Sequence, residues 1–129
     1  MESSINSRIG NEANTEQDIE ISRENLDAVM DGMKGVTSEV GGTAYSVFRN
    51  FNIEVGGKTG TAQKGEKDTP NALFVGFAPY DNPEIAVVCV IENGGNSSIA
   101  SYPARDVIAQ YFGMNEQNIE ENTRRFAKC

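Results

Sequence analysis

The hydrophobic pattern of this chain changes period as it runs. From Ser22 onward apolar side chains fall at Leu26, Val29, Met30 and Met33, the spacing of one helical face. Ser22 precedes the run as an N-cap, Glu24 sits where the positive end of the helix dipole favours an acid, and Gly35 is placed to end the helix. The Met-rich stripe reads as core-facing. A Gly41-Gly42-Thr43 turn follows, with Thr43 suited to cap a short helix through Phe48, and residues 51–55 make a strand-like approach to two glycines.

Period two then takes over. Residues 58–63 (KTGTAQ) read as extended, because threonine and glycine are poor helix formers and threonine suits a pleated surface. Residues 64–70 (KGEKDTP) are a polar turn. The runs LFVGFA (73–78) and IAVVCVI (85–91) flank the loop PYDNPE, which suits an antiparallel hairpin. The second run is apolar without a break, which predicts a central strand covered on both faces. After the loop NGGNSS, Ala104, Val107, Ile108 and Tyr111 form a helical stripe, with Pro103 tolerated near its start and Gly113 stopping it. The order helix, short helix, three strands, helix predicts an α+β fold, an antiparallel sheet with helices packed on it. Residues 1–20 read as a polar arm or linker and 115–129 as a polar tail, and there is no internal repeat.

Composition narrows the chemistry. The 129 residues amount to one domain, and a net charge of −8 argues against general nucleic-acid binding. Histidine is absent, which removes Ser-His-Asp and Cys-His catalysis, histidine-zinc sites and histidine pH switches. Cys89 and Cys129 are too few for a disulfide framework or a zinc site, and Cys89 reads as a buried free thiol. Nothing asks for a cofactor or metal. No stretch approaches the roughly 18 apolar residues of a membrane span, and Met1 opens a polar stretch unlike a signal peptide, so the chain is expected to be soluble.

The chemistry-bearing stretch is EVGGKTGTAQKG, residues 54–65. A P-loop would need glycine at position 52, which is Asn52, and a helix after Lys58-Thr59, which TGTAQKG does not favour. As a strand, the stretch puts the Thr59 and Thr61 hydroxyls on one face, where both can donate to a carboxylate. Gly60 leaves room for close approach, while Lys58 falls on the opposite face and has to bend round or act through its field. An unpaired edge there could bind a peptide-like ligand. Physics alone leaves this reading level with an ordinary edge strand carrying a solvated lysine.

The wider context carries a resemblance. GGTAYSVF, then VGGKTGTAQ, then NALFVGFAPYDNPEIAVVCVIENG and a closing helix resemble the C-terminal part of the transpeptidase domain of class B penicillin-binding proteins, over about residues 20–113. The K-T-G motif is shared with class A β-lactamases. The resemblance implies the serine β-lactamase/transpeptidase-like fold and residues 21–114 as the C-terminal portion of that domain. It also implies a serine enzyme that cross-links peptidoglycan stem peptides and is acylated by β-lactams, which mimic D-Ala-D-Ala. Carried over, Thr59 and Thr61 hold the substrate carboxylate, and the Thr61 N–H supplies an oxyanion-hole donor. Gly60 completes the substrate strand, and Lys58 contributes charge and a hydrogen bond to the catalytic network. The family implies a parent protein at the bacterial cell membrane, with this domain outside the cytoplasm.

The nucleophile motif S-x-x-K does not occur: Ser22 meets Asn25, Ser46 meets Arg49 and Ser98 meets Ser101. S-x-N occurs once, as Ser4-Ile5-Asn6, too close to Lys58 for the family's domain-length spacing. The expectation is therefore a fragment that carries the third motif and is inactive alone. In the family two further strands lie beside the equivalent of residues 85–91. Without them that edge is open, which predicts self-association or filling by residues 1–20. Two other functions remain: a β-lactamase or D,D-carboxypeptidase fragment of the same fold, and a non-catalytic module that captures peptide C-termini.

Overall fold

The computed structural model describes residues 20–63 and 65–114. The N-terminal arm and C-terminal tail predicted from the sequence lie almost wholly outside the described residues. Helix α1 spans Arg23–Ser38 and starts as the sequence predicts, with the Ser22 Oγ accepting from the Asn25 N–H at 3.3 Å. It does not stop at Gly35. Thr37 in its last turn is buried and donates its hydroxyl to the Val55 carbonyl at 2.5 Å, so contact with the sheet outweighs the roughly 1 kcal/mol a glycine costs mid-helix. The Met-rich stripe is another correction. Leu26 and Val29 are exposed, and Met30 and Met33 are only half-buried, because α1 reaches the rest of the molecule through its C-terminal end.

Helix α2, Tyr45–Phe48, begins at Ala44 without a side-chain cap, so the hydroxyl of Thr43 is not used as predicted. Residues 51–55 are irregular rather than strand-like, and the chain straightens at Gly56. Strands β1 (Gly56–Ala62), β2 (Asn71–Ala78) and β3 (Ile85–Ile91) form one antiparallel sheet in the order β1-β2-β3. The β2–β3 hairpin closes with Glu84 donating to the Ala78 carbonyl at 2.8 Å.

Among the described residues the unbroken apolar run is therefore an edge strand, not a central one. Its residues alternate between half-buried Ile85, Val87, Cys89 and Ile91 and exposed Ala86, Val88 and Val90, because only one face is covered. Cys89 is a half-buried free thiol. A 3₁₀ turn (Ser97–Ala100) leads into α3, Ser101–Tyr111, which packs on that covered face. Its buried stripe is Ser101, Ala104, Arg105, Ile108 and Ala109, rotated from the predicted one, while Val107 and Tyr111 face outward. The helix ends as predicted, with Gly113 at φ +64 and Met114 donating to the Ala109 carbonyl.

The core lies between the covered face of the sheet, α2 and α3. It centres on Phe74, stacked on Phe48 at 5.7 Å, with Val47, Val55, Ala72, Ala104 and Ile108 around it. This arrangement gives the double glycine before Lys58 its reason. A Cβ on Gly57 would stand 2.7 Å from the Phe74 ring, and one on Gly56 would collide with Phe77. Both glycines are sockets for rings of the neighbouring strand.

Candidate active-site strand

Strand β1 carries Lys58, Thr59, Gly60 and Thr61 in register with Val75, Phe74, Leu73 and Ala72. It is an edge of the three-stranded sheet, with no strand on its outer side among the described residues. Alternation turns Thr59 and Thr61 to the core side and Lys58 to the other. The two threonines differ in exposure: Thr59 is 5% exposed, whereas Thr61 near the end of the strand is open to solvent. Lys58 does bend round. Its ammonium donates to the main-chain carbonyl of Thr59 at 2.6 Å. At Gly60 an added Cβ would make only ordinary contact, 3.4 Å from the Leu73 Cβ, so nothing in the described chain fills the space above it.

Two contacts hold this strand in place, and a third ties α3 to α2. Thr37 ties α1 to Val55, immediately before the strand. The hydroxyls of Thr43 and Thr59 lie 2.7 Å apart, joining the turn after α1 to the strand itself. Arg105, 3% exposed on α3, reaches the Val47 carbonyl of α2 and pairs with Asp106 at 3.0 Å. Sequence reasoning missed all three. Each joins residues far apart in the chain, and no local spacing announces such a partner.

A separate cleft of about 230 Å³ lies between the end of α1, α2 and residues 51–55, lined by Lys34, Tyr45, Arg49 and Glu54 among others. None of the four strand residues lines it. Lys34 pairs there with Glu54 at 3.2 Å and sits 4.9 Å from the centre of the Tyr80 ring. The hydrogen bond to Glu54 raises the Lys34 pKa, and loss of hydration, with Asp31 nearby, raises that of Tyr80. These are ordinary surface pairings that hold a lysine protonated and a tyrosine neutral. Among the described residues no cluster of His, Cys, Asp or Glu is arranged to hold a metal, and no helix is long and apolar enough to cross a membrane.

Comparison with known proteins fits this architecture. The family model described as the penicillin binding protein transpeptidase domain matches residues 2–110. The chain belongs to that family. It is 34% identical over 110 residues to the peptidoglycan D,D-transpeptidase MrdA of Haemophilus influenzae, covering 74% of this chain and 17% of that protein. Among solved structures, it resembles Pseudomonas aeruginosa PBP2 in complex with WCK 5153, with TM-score 0.68 and 36% identity over 78% of this chain and 23% of the other. It also resembles penicillin-binding protein A of Mycobacterium tuberculosis in an imipenem acyl-enzyme complex. That match has TM-score 0.57 and 27% identity over 71% of this chain and 20% of the other. The chain thus spans about a sixth of the length of the curated relative. The three-stranded sheet and its helices are the expected part of the β-lactamase/transpeptidase fold.

Proposed function

We propose that residues 21–114 form the C-terminal portion of the catalytic domain of a serine peptidoglycan D,D-transpeptidase, with β1 as its substrate-binding and oxyanion strand. The observation that carries this is the edge position of Lys58, Thr59, Gly60 and Thr61, with the Lys58 ammonium folded onto the Thr59 carbonyl. In an antiparallel strand, residues two apart direct their main-chain groups to the same side. A Thr59 carbonyl that is bonded by a side chain supports placing the Thr61 N–H on that side, free to donate to the oxyanion of an acyl intermediate. Lys58 adds positive charge where negative charge develops. The Thr59 and Thr61 hydroxyls receive the carboxylate of the stem peptide or of a β-lactam.

On this reading a serine attacks the penultimate D-alanine carbonyl, and D-alanine departs. An amine of a second stem peptide then resolves the acyl-enzyme. The serine and its S-x-x-K lysine come from sequence outside these 129 residues, and residues 115–129 are a polar tail beyond the catalytic unit. The name of the Haemophilus relative supports the reaction, and the imipenem acyl-enzyme of the Mycobacterium relative supports the β-lactam. We place the full-length protein at the bacterial cell membrane, with this domain extracytoplasmic.

The test is penicillin acylation of the full-length protein. Removing one preorganised donor or positive charge from such a site costs about 100- to 1,000-fold in rate. Lys58→Ala is expected to slow acylation by that order, and Thr61→Val to weaken binding of the carboxylate-bearing drug. Acylation at the parent rate in both variants would show that β1 is not the binding strand.

A further inference from the structure

Thr43 lies outside the K-T-G-T motif, and as a helix cap it would do nothing for the site. Its hydroxyl is instead 2.7 Å from that of Thr59. Thr59 is 5% exposed and Thr43 is open to solvent. The turn bearing Thr43 is held on both flanks. Gly42 donates to the Glu39 carbonyl at 2.9 Å, Ala44 to Val36 at 3.0 Å, and Tyr45 back to Gly42 at 3.0 Å. A Cβ at Gly42 would collide with the carbonyls of Gly35 and Val36, so the turn lies tight against the end of α1. That end is itself fixed to Val55 through Thr37. Thr43 therefore meets Thr59 from a turn braced against the same strand it contacts.

A hydroxyl carries one proton and accepts through two lone pairs. If Thr59 spent its proton on Thr43, it would present only lone pairs to a ligand carboxylate, which repels them. If Thr43 donates, the Thr59 proton is left for the ligand. Hydrogen bonds in such a chain also polarise one another and strengthen. We infer that Thr43 is a positioning residue for carboxylate recognition: it donates to the Thr59 Oγ1 and so commits the Thr59 proton to the substrate or β-lactam carboxylate. This rests on the proposed role of Thr59, and the experiment separates the two claims.

The experiment compares Thr43→Val, Thr43→Ala, Thr43→Ser, Thr59→Val and the Thr43→Val/Thr59→Val double variant in the full-length protein, with thermal unfolding as a check on folding. The readout is the acylation rate constant with a penicillin and with its methyl ester, which lacks the carboxylate. Loss of a hydrogen bond that serves a charged group is worth about tenfold. Thr43→Val and Thr43→Ala should lose about tenfold with the acid, through weaker initial binding, and less than twofold with the ester. Thr43→Ser should stay within twofold of the parent. The double variant should be no worse than Thr59→Val alone, since both remove one relay. Equal losses with acid and ester would make Thr43 merely structural and overturn the inference, as would parent-like acylation by Thr43→Val and Thr43→Ala beside an impaired Thr59→Val. Parent-like acylation by Thr59→Val would instead remove the role proposed for Thr59, and the inference with it.

Discussion

Gly56, Gly57 and Gly60 share one strand and serve different ends. A side chain at Gly57 would strike the Phe74 ring at the centre of the core, whereas one at Gly60 would meet only ordinary contact with Leu73. Gly57→Ala is therefore expected to destabilise the protein by about 1–3 kcal/mol, the usual cost of overpacking. Gly60→Ala should change stability by less than about 0.5 kcal/mol. Denaturant unfolding of both variants checks this, and equal stability would refute the socket reading of Gly57. The sequence made Lys58, Thr59 and Thr61 conspicuous, because strand alternation sets two hydroxyls on one face beside a lysine. It could not explain the glycines, since Phe74 and Phe77 reach them only through the β1–β2 register. Thr43 was legible as a polar turn residue, but its partner lies 16 residues away.

At the scale of elements, strand β3 Ile85–Ile91 was legible to the residue, and β1 and β2 to within two at their starts. Apart from the end of α1, the cap of α2 and the irregular residues 51–55, the errors concern what covers the elements. Periodicity reports which side chains are apolar, not whether a neighbour is present to bury them. Hence α1 leaves Leu26 and Val29 exposed, and β3 leaves Val88 71% and Val90 53% exposed. The α3 stripe slipped for a related reason: buried Arg105 pairs with Asp106 and reaches the Val47 carbonyl, a use no hydropathy pattern reveals. An open apolar edge invites strand pairing. The 129-residue chain should self-associate in light scattering at micromolar concentration, and Val88→Lys should shift it toward monomer. A clean monomer of the parent chain with that edge open to solvent would contradict this.

For the whole molecule, the α+β class followed from element order, and K-T-G-T in its setting pointed to the family to which the chain belongs. The arrangement of the site did not follow, because it depends on the end of α1 and the turn at Thr43 meeting one strand. In the proposed mechanism that strand binds carboxylate and oxyanion, while the attacking serine lies elsewhere. The most direct test is intact-mass measurement of the 129-residue chain after incubation with a fluorescent penicillin, beside the full-length protein. The mechanism predicts a stable penicilloyl adduct on the full-length protein and none on the chain alone. A stable adduct on the isolated chain would mean that it carries its own nucleophile, and would contradict the division of labour between strand and serine.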